Sequence, residues 1–120
     1  MISNRSMRAA LAGALLALFA ASPAFAHAHL SKSVPSAGAS VTAPSEIVLA
    51  FTEPLEAAFS TIELRDSAGK PLKTDKAQVK DNVMRLPLKP LAAGKYTVNW
   101  RALSVDTHKT QGNFAFTVTP

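Results

Sequence analysis

The chain has 120 residues, no cysteine and a formal net charge of +5, and 48% of its residues are hydrophobic. Without cysteine the protein has no disulfides and no thiolate metal sites, so its fold depends on an apolar core. Its lysines stand singly among acidic residues rather than in a dense basic stripe, which argues against a nucleic-acid-binding protein.

The first 26 residues have the three parts of a cleavable export signal. Arg5 and Arg8 provide a positive start, residues 9–21 form an uncharged apolar run, and residues 22–26 end in a small-x-small pattern. The run is too short for a membrane anchor, because a span needs about 20 apolar residues. We therefore expect residues 1–26 to be a signal peptide that is removed on export.

Cleavage after Ala26 would leave His27 as the first residue of the mature chain. A second small-x-small sequence, Ala26-His27-Ala28, would allow a cut after Ala28 that exposes His29 instead. The first cut is preferred because it keeps a bulky imidazole out of the recognised stretch. With either cut the exported chain begins with a histidine, and we take residues 27–120 as one domain.

The mature part consists of short period-two runs separated by turns, which predicts an all-β domain of the sandwich or barrel type. The segment from Leu30 is expected to enter the first strand, and residues 66–71 are expected to form a turn. The apolar members of the later runs are Ile47, Leu49, Phe51, Ile62, Leu64, Met84, Leu86, Leu88, Tyr96, Val98, Trp100, Phe114, Phe116 and Val118. Proline cannot donate to a strand ladder, so Pro87 predicts an edge strand or a bulge. The last run is expected to be a central or well-packed strand.

Histidine placement is the strongest chemical signal. The sequence has three histidines, and two of them, His27 and His29, lie at the predicted mature start. The third, His108, follows Asp106 by two positions, so both side chains share a face if this segment is extended. An acid and an imidazole would then project side by side.

These residues predict a metal site. A free α-amine has a reference pKa of about 7.7–8.0, so a metal can displace its proton, and the amine and imidazole of His27 would close a chelate ring. His108 adds a third nitrogen and Asp106 an oxygen, a donor set that suits Cu(II), with Zn(II) as the main competitor. Cu(I) would prefer sulfur ligands, but Met84 is the one methionine left after cleavage and is expected in the core.

Other interpretations of the same residues remain open. Asp106 and His108 could form a simple surface hydrogen-bonded pair, and the histidine after the cut could be accidental. A local copper site is also open, in which the amine, two backbone amides and the imidazole of His29 bind Cu(II) without the distant pair. It requires the first three mature residues to be loose, and we rank it second.

The chain resembles the CopC family of periplasmic copper-resistance proteins over essentially its whole mature length. The resemblance is carried by ordered motifs: His27-Ala28-His29-Leu30, the sequences at 33–38 and 49–53, AGKYTVNWR at 93–101 and SVDTHKTQGNF at 104–114. It implies a small immunoglobulin-like Greek-key β-barrel or sandwich of about seven strands that binds Cu(II). The implied ligands are the amine and imidazole of His27, the carboxylate of Asp106 and the imidazole of His108.

Two further points follow from the resemblance. Glu53 matches a family acid sometimes placed near the copper, so it is either a weak or outer ligand or a structural acid at a strand end. Some members carry a methionine-rich loop that binds Cu(I), but the corresponding residues 66–83 contain no methionine. The chain is therefore similar to a short type that binds Cu(II) alone.

The predicted function is that of a periplasmic copper carrier or buffer that is not an enzyme. The resemblance implies delivery to an inner-membrane partner of the CopD type, for copper resistance or supply. One rival is a histidine-brace copper oxidase similar to polysaccharide monooxygenases, which would need a substrate-gripping surface. Tyr96 and Trp100, however, are expected on a core face. The other rival is an exported immunoglobulin-like module without metal.

Overall fold

The computed structural model describes residues 28–120, which form eight β-strands and one short 3-10 turn at Ala57–Phe59. The predicted signal peptide, residues 1–26, and His27 lie outside the described residues. The strands are β1 (Leu30–Val34), β2 (Ser40–Thr42), β3 (Glu46–Phe51), β4 (Thr61–Arg65), β5 (Gln78–Lys80), β6 (Val83–Pro87), β7 (Gly94–Leu103) and β8 (Lys109–Thr119).

The strands form two four-stranded sheets, one in the order β1-β3-β6-β5 and the other in the order β2-β8-β7-β4. The chain crosses between the sheets at each of its first four strand connections. Strand pairing is antiparallel except between β2 and β8, which are parallel. The predicted all-β fold is confirmed as a sandwich of two sheets. In residues 28–120 no helix is long and apolar enough to cross a membrane.

The period-two runs place their apolar residues between the sheets. Ile47, Leu49 and Phe51 of β3 are at most 1% exposed, and Tyr96, Val98 and Trp100 of β7 are at most 8% exposed. The rings of Phe51 and Trp100 meet edge to face at 5.0 Å, which joins the first sheet to the second. Met84 is fully buried, as predicted.

Two details differ from the sequence-based expectations. There are eight strands rather than about seven, because β2 and β5 have three residues each and are too short to show a periodic pattern. The strand that contains Pro87 is an interior strand of its sheet rather than an edge or a bulge. Proline is tolerated there because Pro87 is the last residue of β6, and β5 pairs with β6 only as far as Arg85. The final strand β8 is central, as expected.

Gly112 of β8 lies directly opposite Trp100 of β7, and the indole covers it. A Cβ atom added at Gly112 would stand 2.6 Å from Trp100 Cζ2, which is closer than packed atoms allow. Glycine at this position therefore allows the indole to lie flat on the neighbouring strand.

We expect Gly112→Ala to lower the free energy of unfolding by about 1–3 kcal/mol, because the added methyl group overpacks the core beside Trp100. Chemical denaturation followed by tryptophan fluorescence measures this change. The matched control is Asn113→Ala on the exposed face of the same strand, which should change the stability by no more than about 0.5 kcal/mol. Equal stabilities of the two variants would contradict the proposed packing of Trp100.

Candidate functional site

The loop between β7 and β8 carries Asp106 and His108. The last pair of the hairpin is Leu103 with Lys109, so residues 104–108 form the connection. The amide of Ser104 donates to the His108 carbonyl at 3.0 Å, and the Thr107 amide donates to the Ser104 carbonyl at 2.8 Å. Thr107 has a φ of 74°, in the left-handed region typical of tight turns.

This geometry brings Asp106 and His108 together, although the extended segment that would place them on one face is not formed. The segment is a turn and not an extended strand, so the two side chains do not share a face by strand alternation. The turn nevertheless places His108 Nδ1 3.3 Å from Asp106 Oδ1. The side chain of His108 is 47% exposed and that of Asp106 is 42% exposed, so an ion from solvent can reach both.

Ser104 organises this turn through its side chain. It is fully buried, and its hydroxyl donates to Asp106 Oδ1 while it accepts from the His108 amide at 3.2 Å. The Ser104 hydroxyl is the main cause that lowers the pKa of Asp106, with a smaller contribution from His108, against an opposing effect of partial desolvation. Asp106 is therefore an ionised carboxylate at neutral pH, as a metal ligand must be.

The amino-terminal end of the described chain is held beside the same hairpin. Ala28 is fully buried, and its carbonyl accepts a hydrogen bond of 2.8 Å from the hydroxyl of Thr110. Thr110 follows His108 by two residues on β8. The next residue, His29, is bound through its backbone to Thr52: its amide donates to Thr52 Oγ1, and its carbonyl accepts from the Thr52 amide, both at 2.9 Å.

The segment after β3 contacts both the amino-terminal segment and the β7–β8 loop. Thr52 holds the backbone of His29, and the carbonyl of Pro54 accepts a 3.1 Å hydrogen bond from the amide of Val105 in the hairpin loop. Glu53, which is half-buried, lies between these two contact residues in the chain. The backbone of Glu53 is therefore between the amino-terminal segment and the loop that carries Asp106.

The described residues provide only part of the predicted donor set. Asp106 and His108 are adjacent, whereas residues 28–120 contain no group of three or more histidine, aspartate or glutamate side chains arranged to hold a metal. The predicted ligand His27 lies outside the described residues. His29 is exposed, and its amide nitrogen is a donor to Thr52.

A wide concavity elsewhere on the protein does not contain these residues. It has a volume of about 980 Å³ and covers the outer, polar face of the second sheet, with Arg101, Asn99 and Asn113 among its lining residues. Neither Asp106 nor His108 lines it. The candidate site is thus a half-exposed set of donors at a loop, not a deep pocket.

Three hydroxyl residues at the site were not identified from the sequence: Ser104, Thr110 and Thr52. Ser104 had a local signal, because serine two residues before an aspartate in a turn is a typical partner for such a bond. Thr110 and Thr52 had none. Their partners are 82 and 23 residues away in the chain, and side-chain bonds to a distant backbone leave no periodic pattern.

Comparison with known proteins agrees with this architecture. The CopC domain profile matches residues 30–119. Two proteins of Escherichia coli are each 40% identical to the chain: Protein YobA over 95% of this chain and 95% of its own length, and copper resistance protein C over 92% and 95%. The crystal structure of CopC from Methylosinus trichosporium OB3b superposes with a TM-score of 0.75 at 36% identity, covering 78% of this chain and 95% of that one. The chain belongs to the CopC family.

Proposed function

We propose that this protein is an exported copper-binding protein that holds one Cu(II) ion between the amino terminus of its mature chain and the β7–β8 hairpin loop. The ligands in this proposal are the amine and imidazole of His27, the carboxylate of Asp106 and the imidazole of His108. The main supporting observation is the hydrogen bond from Thr110 to Ala28, which holds the start of the described chain two residues from His108.

The proposal includes export and cleavage. Removal of residues 1–26 would make His27 the first residue of a domain that spans 27–120 and works in the periplasm. Consecutive Cα atoms are about 3.8 Å apart, so the residue before Ala28 starts one short step from the Thr110 contact. A new amine created there could reach a metal ion beside His108, whereas in the uncleaved chain the same nitrogen belongs to a peptide bond and is not basic.

The donor chemistry favours Cu(II). Three nitrogens and one carboxylate oxygen suit a tetragonal Cu(II) site, and Cu(II) stands above Zn(II) in the divalent affinity order. Cu(I) would need thioether or thiolate ligands, but Met84 is fully buried in the core and the sequence has no cysteine. Asp106 and His108 are both half-exposed and already in contact, so the loop can accept an ion without refolding.

The local copper site at His29 is less well supported. That site needs the backbone amide nitrogens of Ala28 and His29 as deprotonated ligands. The His29 amide instead donates to Thr52, and Ala28 is fully buried with its carbonyl bound by Thr110. A local site would have to break these contacts, which makes the site at His108 the better proposal.

Glu53 is proposed as an outer residue of the site. The residues on either side of it contact His29 and Val105, so its backbone lies between both halves of the ligand set. A carboxylate at this position could bond to the ligand imidazole of His27 or neutralise part of the ion's charge.

In this proposal the protein carries or buffers copper and is not an enzyme. The relatives include a copper resistance protein of the same length class, which supports a role in copper resistance or supply. Tyr96 and Trp100 are at most 8% exposed and cannot form the aromatic platform expected of a polysaccharide oxidase. Delivery to an inner-membrane transporter of the CopD type remains part of the proposal through the family resemblance.

Titration of the processed protein with Cu(II) should show one tight equivalent. The full chain is produced in a bacterium, the exported product is purified, and mass spectrometry verifies His27 as its first residue. The electron paramagnetic resonance spectrum should report nitrogen donors around Cu(II). Free Cu(II) at 100 times the dissociation constant should raise the melting temperature by about 10 °C or more. No tight equivalent, more than one, or an unchanged melting temperature would count against the proposal.

Replacing His108 separates the two copper geometries. His108→Ala should weaken Cu(II) binding by about 100-fold or more, because even outer partners of metal ligands contribute roughly 10–100-fold. His29→Ala is the matched control and should leave the affinity within about threefold of the parent. The reverse pattern, a strong loss in His29→Ala and none in His108→Ala, would establish the local site instead.

One extra residue in front of His27 tests the terminal amine. The extension converts the amine into a peptide nitrogen and destroys the chelate, so Cu(II) affinity should fall by about 100-fold or more. The apo melting temperature should stay unchanged, since the extension replaces none of the buried core residues. Equal Cu(II) affinity of the extended and parent proteins would mean that the terminal amine is not a ligand.

A further inference from the structure

Two hydroxyl groups connect the rigid sandwich to the two halves of the proposed copper site. Ser104 contacts both Asp106 and His108, and Thr110 contacts Ala28. Neither is a metal ligand in the proposed function. Their positions raise the question of whether they act on the copper site or only on the stability of the fold.

The contacts of Ser104 connect both proposed ligands of the loop through one hydroxyl group. A serine hydroxyl has one proton to donate and two lone pairs to accept with. The proton goes to Asp106 Oδ1, and a lone pair accepts from the His108 amide at 3.2 Å. Because Ser104 is fully buried, its hydroxyl cannot exchange these partners for water. One buried group therefore fixes the carboxylate of one ligand and the backbone of the other.

One carboxylate oxygen of Asp106 takes part in two contacts of the loop. Oδ1 accepts from Ser104 and is also the atom 3.3 Å from His108 Nδ1. The Ser104 contact therefore fixes the same carboxylate oxygen that lies beside the His108 ring.

Thr110 contacts the amino-terminal side of the proposed copper site. Its hydroxyl donates to the Ala28 carbonyl at 2.8 Å across 82 residues of sequence. Thr110 sits on β8, whose pairing with β7 continues up to Leu103 and Lys109 at the hairpin loop. The contact ties the amino-terminal segment to the same strand that leads out of the loop, and so limits the distance between the mature amino terminus and His108.

We propose that Ser104 and Thr110 are positioning residues that set the geometry of the copper ligands before the metal arrives, Ser104 for Asp106 and His108, and Thr110 for the amino-terminal ligand. This inference rests on the proposed function and deepens it. Metal ligands oriented by the protein cost less to order on binding, so loss of an orienting group lowers affinity without removing a ligand.

Matched pairs of variants distinguish positioning from stability. Ser104→Ala is compared with Ser60→Ala: Ser60 is also buried, at 4% exposure, and its hydroxyl accepts from the Leu103 amide at 3.1 Å. Thr110→Val is compared with Thr119→Val: Thr119 lies on the same strand and donates to the Val41 carbonyl at 3.2 Å. Each control loses a hydroxyl with a backbone partner and touches no proposed ligand.

The readouts are Cu(II) affinity by competition with a chelator, the Cu(II) electron paramagnetic resonance spectrum, and the melting temperature of the apo protein. All four variants should melt at a lower temperature than the parent, since each loses a hydrogen bond. Only Ser104→Ala and Thr110→Val should lose Cu(II) affinity, by about 10–100-fold. Ser104→Ala should also shift the spectrum, because its carboxylate and imidazole ligands are no longer fixed.

Equal affinity and identical spectra for all four variants, with a parent that binds Cu(II), would overturn the positioning roles while leaving the proposed function intact. A parent that does not bind Cu(II) would overturn both. If Ser104→Ala fails to fold, nuclear magnetic resonance of the apo parent provides the test. A slowly exchanging Ser104 hydroxyl proton close to the His108 amide proton is expected, and its absence would refute the arrangement.

Discussion

The antiparallel pairing of β7 with β8 is the constraint on which the rest of the site depends. Ten residue pairs, from Gly94 with Val118 to Leu103 with Lys109, leave the hairpin only a short loop to reverse the chain. The inner face of β7 is buried against the opposite sheet, so this ladder cannot slip by one residue without turning its core side chains to solvent. The position of the loop that carries Asp106 and His108 is therefore set by the packing of the core.

The loop then depends on one small buried side chain. Ser104 contacts both the carboxylate of Asp106 and the backbone amide of His108. It places the acid and the imidazole together although the segment is not extended. The core residue Trp100 lies three pairs before the last pair of this hairpin, and its indole packs over Gly112 of the neighbouring strand.

The site also brings both ends of the described chain together. Ala28 is near the start of the described residues and Thr110 is close to the end, yet the sandwich places them in hydrogen-bond contact. In the proposed function this contact couples export to metal binding, because cleavage would create the amine on the residue before Ala28, whose carbonyl is bound by Thr110. A copper site of this kind would form only in the compartment where the signal peptide has been removed.

Much of this could be predicted from the residues alone. Alternating apolar positions identified the long strands and their buried faces, because a half-buried strand leaves a period of two in the sequence. The donor types of the proposed copper site also come from the sequence: a histidine after a cleavage pattern, an Asp-x-His pair and the lack of available sulfur. Two features of the fold could not be predicted in this way: the three-residue strands and the interior position of the strand with Pro87. Neither feature leaves a sequence pattern of its own. The same holds for the bonds of Thr110 and Thr52 to the amino-terminal backbone. These bonds form because the folded sandwich brings segments that are distant in the sequence next to each other. Such contacts are decided by the tertiary structure alone.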